Sequence, residues 1–141
     1  MTLHCRASQL QILEQLLSTK NECSIPTHPL IFLTGPASSG KSATLQHLLN
    51  ALPSVRIAQV SCIERYTDSL LFQSILDQFS GTLPSSANGY CMYGKCESLN
   101  EFHVRLNELL EEQDRIEGTA VRYLVIHEKH LINRFWIVWM N

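Results

Sequence analysis

Apolar residues recur along this chain at two different spacings, and the spacing divides it into helices and strands. Leu10, Leu13, Leu16 and Leu17 share one face of a helix over residues 8–17. Residues 18–29 contain Pro26 and Pro29 and read as a linker. Leu30-Ile31-Phe32-Leu33 is a short continuous apolar run, the first strand. A helical pattern over residues 43–52 stops at Pro53, and residues 55–60 alternate imperfectly as a second strand. Thr67-Asp68 can cap a helix carrying Leu70, Leu71, Ile75, Leu76 and Phe79, with Gly81 closing it. Residues 81–97 read as a loop rich in Gly, Ser and Asn. Ser98-Leu-Asn-Glu101 is a capping box opening a helix with Phe102, Leu106, Leu109 and Leu110 inward. Its Glu108, Glu111 and Glu112 form a solvated face. Val121-Arg-Tyr-Leu-Val-Ile126 is a third strand, apolar enough after Arg122 for burial on both faces. Strands alternating with helices predict an α/β fold around a parallel sheet.

The junction of the first strand and the second helix carries the chemistry. Gly35-Pro36-Ala37-Ser38-Ser39-Gly40-Lys41-Ser42 fits the phosphate-binding pattern GxxxxGK[ST]. A chance match in a chain of this composition is expected about once in a few hundred sequences, and the strand–loop–helix setting makes a bare Gly/Ser turn less probable still. Such a loop turns successive backbone N–H groups toward a phosphate, and the helix behind it adds the positive end of its dipole. Lys41 would reach the β- and γ-phosphates and the Ser42 hydroxyl would ligate Mg²⁺. The implied cofactors are ATP and Mg²⁺.

Bulk properties narrow the reading. A hydrophobic content of 45% against 17% charged residues is that of one globular domain rather than a disordered chain. A net charge of −2 gives no basic footprint for nucleic acid, so any DNA contact would come from an assembly. No apolar run reaches transmembrane length, and the N-terminal residues lack a signal-peptide pattern. Cys5, Cys23, Cys62, Cys91 and Cys96 then read as reduced thiols. Cys91 and Cys96, with His103 beyond, are too widely spaced and one ligand short of a usual zinc site.

Further segments resemble origin recognition complex subunit 5, an AAA+ P-loop family. They are His4-Cys5-Arg6-Ala7-Ser8-Gln9 before the leucine helix, and Val60-Ser-Cys62-Ile-Glu64-Arg-Tyr66-Thr67 leading into residues 70–76. Ser98-Leu-Asn-Glu-Phe102 adds a third. The resemblance spans residues 4–126. It implies a three-layer, AAA+-like ATP-binding domain that marks replication origins and helps load the helicase. It also implies sister subunits as partners, DNA contact through the assembled complex, no membrane, and the nucleus as location. Arg6 and Gln9 lie in a segment that packs near the adenine in related modules. Ala7 departs from the family's usual acidic residue.

Other departures concern hydrolysis and the end of the chain. His127 stands where an Asp should organise the Mg²⁺ water shell, and a neutral imidazole suits that hard cation poorly. Glu128 falls where many ATPases keep a catalytic base, a weak candidate without its metal partner. His127 and His130, three apart, are not the HExxH zinc signature and read as loop histidines. The reading is therefore an ATP-binding subunit that binds without hydrolysing. The alternatives are an active small P-loop ATPase or kinase, and a non-functional truncated fragment. Residues 1–126 read as a partial AAA+ domain and 127–141 as an atypical tail, read through a splice junction or genuine. In AAA+ sheets a sensor strand separates the P-loop strand from the Walker B strand, the one at Val121 here. The tail is expected not to supply it, which leaves the sheet incomplete at the C-terminus. Only Phe135–Met140 could form a strand, and the connection is too short for a parallel insertion, so any pairing should be antiparallel or at an edge.

Overall fold

The computed structural model describes residues 6–17, 30–36, 38–52, 55–65, 67–82, 85–88, 93–118, 121–128 and 134–140. The elements, in chain order, are α1 (Ala7–Leu17), β1 (Leu30–Leu33), α2 (Lys41–Ala51), β2 (Val55–Ser61), α3 (Asp68–Ser80), a 3₁₀ turn (Ser86–Asn88), α4 (Leu99–Glu117), β3 (Val121–Glu128) and β4 (Arg134–Met140).

The helix boundaries follow local chemistry. Thr67 Oγ1 accepts from the Leu70 amide at 3.3 Å and caps α3, and Gly81 closes it at φ 71°, a left-handed conformation that costs glycine little. Ser98 Oγ accepts from the Glu101 amide at 3.2 Å, as a capping box requires. The return bond is shifted by one residue, because Glu101 Oε2 accepts from the Glu97 amide, also at 3.2 Å. Phe72 of α3 and Phe102 of α4 stack with centroids 4.6 Å apart, locking the two helices together.

The sheet order is β1-β4-β3-β2. β2 and β3 are parallel, joined by the crossover through α3 and α4, whereas β4 runs antiparallel to both β1 and β3. The α/β three-layer arrangement thus stands, but the expected parallel sheet is corrected to a small mixed one. The expectation that residues 127–141 leave β1 and β3 without a shared neighbour is also overturned. β4 lies between them, in register with four residues of β1 and seven of β3. The antiparallel sense has a simple cause: only five residues separate Glu128 from Arg134, which is hairpin length and far short of a parallel crossover.

β4 fits because it supplies an apolar residue to each face. Ile137 lies in one row with Ile31 and Val125, and these join Leu13, Leu17, Leu45, Leu48 and Tyr123 beneath α1 and α2. Val138 lies beside Leu124 and packs toward Ala58, Leu76, Phe79 and Leu106 beneath α3 and α4. The Tyr123 hydroxyl donates to the Leu17 carbonyl at 3.1 Å, which ties the C-terminal end of α1 to the central strand. Arg122, alternating to the opposite face, is only 1% exposed and is paired with Asp114 of α4. The described part of the loop between α3 and α4, which includes the 3₁₀ turn, contacts both helices. Cys96 is buried in the second core, Ser69 Oγ donates to its carbonyl at 2.7 Å, and Asp77 Oδ1 accepts from the Tyr93 amide at 2.8 Å.

Candidate nucleotide-binding site

β1 ends at Leu33 and α2 begins at Lys41, so the Gly35–Ser42 loop sits where the first strand of the sheet hands over to a helix. Its turn uses left-handed backbone twice. Gly40 precedes α2 at φ 80°, and Ser38 has φ 58°, the one non-glycine with positive φ among the described residues. Strain at a non-glycine residue persists only where its surroundings hold it, and such positions gather at binding loops. Gly35 has φ 154°, an angle L side chains rarely adopt; a Cβ there would make only ordinary contacts with Lys41 Cδ and Ser39 Oγ, at 3.6 Å, so the backbone angle is what favours glycine.

Lys41 Nζ donates to the Gly35 carbonyl at 2.7 Å, the Pro36 carbonyl at 2.6 Å and Ser39 Oγ at 3.1 Å. These account for all three ammonium protons and hold the charge over the mouth of the loop. Arg6 donates from its guanidinium to the Ser39 carbonyl, so a second cation reaches the loop from the start of α1. Ser42 is exposed at the first turn of α2, and Thr44 Oγ1 donates to the Gly40 carbonyl at 2.9 Å, steadying that turn. Gln9, grouped with Arg6 by the sequence, accepts from neighbouring Ser8 at 3.2 Å. Ala37 lies outside the described residues.

Beside the loop opens a cleft of about 340 Å³, within the usual range for small-ligand sites. Ser42 and Gln46 come from α2, Gln59 and Ser61 from β2, Glu64 from the turn after β2, and His127 from β3. His127 is thus not on a loop. β3 continues through it, pairing it with Ser61 on one side and Phe135 on the other. The odd-numbered residues Tyr123 and Val125 face α1 and α2, and the same alternation carries His127 to the loop's side of the sheet. Glu128 ends β3 opposite Arg134; its side chain and all of His130 lie outside the described residues. Cys91, one member of the disfavoured zinc trio, is likewise outside them. Cys96 is buried, and its thiol donates to the Ser98 carbonyl at 3.6 Å.

The donor set fits a triphosphate and its cation at the loop: two cations and a helix N-terminus for phosphate, a serine hydroxyl for the metal. A family model for an AAA ATPase domain matches residues 2–132. The chain belongs to the AAA ATPase domain family. Membership implies nucleotide binding through a P-loop, usually with Mg²⁺, and the α/β fold of the chain agrees with it. Neither curated proteins nor solved structures gave a match. Within an AAA domain, Gly35–Ser42 is the loop that the sequence pattern identifies. Gln59, Ser61 and Glu64 are cleft residues that the pattern did not. One signal was available for them: strands that run in the same direction, as β1 and β2 do, present their C-terminal ends, and so the loops after them, at the same edge of the sheet.

Proposed function

We propose that this chain binds ATP with Mg²⁺ at Gly35–Ser42 and serves as an ATP-binding subunit of the origin recognition complex, acting in replication initiation in the nucleus. The observation that carries the nucleotide part is the arrangement of Lys41 and Ser42, one held over the loop and the other exposed beside the cleft, on a strand–loop–helix of an AAA domain. The assembly part is supported by the sequence resemblance of Val60–Thr67 and residues 70–76. A charge of −2 further favours DNA contact through sister subunits rather than by this chain alone.

Binding without turnover follows from His127. His127, which lines the cleft together with Ser42, offers an imidazole nitrogen where hydrolysis needs a carboxylate to order the metal and its water. Purified protein should release no phosphate above background, and release that disappears in Lys41→Ala would overturn this. Co-purification with sister subunits tests the assembly. Tight, salt-sensitive binding of duplex DNA by this chain alone would count against it.

A further inference from the structure

Glu64 is the one carboxylate among the described residues lining the cleft beside the phosphate loop. It lies on the tight turn that follows β2. Two backbone bonds fix that turn: the Cys62 amide donates to the His127 carbonyl at 3.0 Å, and the Arg65 amide to the Ser61 carbonyl at 3.0 Å. The first of these ties the turn to the very residue that stands in the usual position of the metal-organising Asp. Glu64 forms no ion pair with a described Lys or Arg, so its charge is not already committed. Ser42, the hydroxyl assigned to the cation, lines the same cleft.

A Mg²⁺ ion carried by a triphosphate keeps several waters and takes one or two protein oxygens, typically from carboxylates. Ser42 supplies a neutral oxygen. His127 supplies nitrogen, which suits softer ions better. We infer that Glu64, from the turn after β2, organises the water shell of the nucleotide's Mg²⁺ in place of the residue at the end of β3. This rests on the nucleotide reading above. It adds a named metal-positioning residue, drawn from a different strand, to the cation side of the site.

The prediction has a sign that a structural role would not produce. Without a metal, the Glu64 carboxylate faces triphosphate oxygens of its own charge and opposes binding. With Mg²⁺ between them it becomes attractive. Fluorescent ATP titrated into the full chain, with excess Mg²⁺ and again with EDTA, separates the two conditions. Glu64→Gln keeps the size and shape of the side chain and removes the charge. It should bind as tightly as wild type or more tightly in EDTA, and about tenfold more weakly in Mg²⁺, the scale of one hydrogen bond to a charged group. A second substitution, His127→Asp, should restore the Mg²⁺ response of Glu64→Gln. Equal Mg²⁺ dependence in wild type and Glu64→Gln would overturn the inference, as would a parallel loss in both conditions. So would wild-type binding that Mg²⁺ does not strengthen, although the nucleotide reading would survive that result. Binding unchanged by Lys41→Ala would instead remove the nucleotide reading and, with it, this inference.

Discussion

The placement of β4 can be tested at a single side chain. Ile137 is 1% exposed and sits between Ile31 and Val125 in one row across three strands, under α1 and α2. Truncation to Ala removes three carbons from this row and leaves a cavity that neighbours on two strands and two helices cannot easily close. Ile→Ala in a packed core costs about 2–5 kcal/mol. Near-complete burial places Ile137 around the middle of that range, about 3 kcal/mol. Marginal domains hold only about 5–15 kcal/mol in all. At about 2–4 °C per kcal/mol for a somewhat larger chain, the melting temperature should fall by about 6–12 °C. Far-UV circular dichroism during heating reads it. Ile116→Ala is the control: Ile116 is 76% exposed on α4, and a surface change there stays within about 0.5 kcal/mol. If Ile137→Ala melts with the control, β4 is not packed between β1 and β3, and the mixed sheet described above is wrong.

Asp114→Ala should cost about 3 kcal/mol, because it strands the buried Arg122 guanidinium; denaturant unfolding within 0.5 kcal/mol of wild type would show that the pair does not matter. Burial raises the Cys96 thiol above its ordinary 9.0, with the Glu101 carboxylate adding to the shift, and raises the Tyr123 phenol above 10.0. Both groups are favoured neutral in the fold, so their contribution is complete below pH 9 and is lost as pH rises through the raised values. Denaturation midpoints should therefore be flat from pH 7.5 to about 8.5 and fall above about 9–10; a rise there would contradict the burial of both groups. Iodoacetamide at neutral pH should modify Cys62, which is partly exposed, before Cys96.

Local chemistry was legible and long-range placement was not. Thr67, Gly81 and Ser98 mark helix ends because capping depends on a few adjacent residues. The strand character of Leu30–Leu33 and Val121–Ile126 follows from short-range pattern as well. Phe135–Met140 was visible as a possible strand, and the shortness of its connection gave the antiparallel sense. Its insertion at the centre of the sheet depended on Ile31 and Val125 offering complementary rows, and that is a tertiary fact. His127 and Glu128 look like the start of a loop because they are polar, yet pairing with β2 and β4 extends the strand through them. In the site, Lys41 and Ser42 were legible because the P-loop is local. Glu64 was not, because it reaches the cleft from a separate strand whose position only the sheet defines.

The central claim is that Gly35–Ser42 holds the phosphates of a nucleotide. Titration of fluorescent ATP into wild type and Lys41→Ala, with circular dichroism confirming that both fold, tests it most directly. Lys41 carries the charge held over the loop mouth, and its loss should weaken binding by about 2 kcal/mol or more, which is about thirtyfold at 1.4 kcal/mol per factor of ten. Equal affinity of the two folded proteins would contradict the claim.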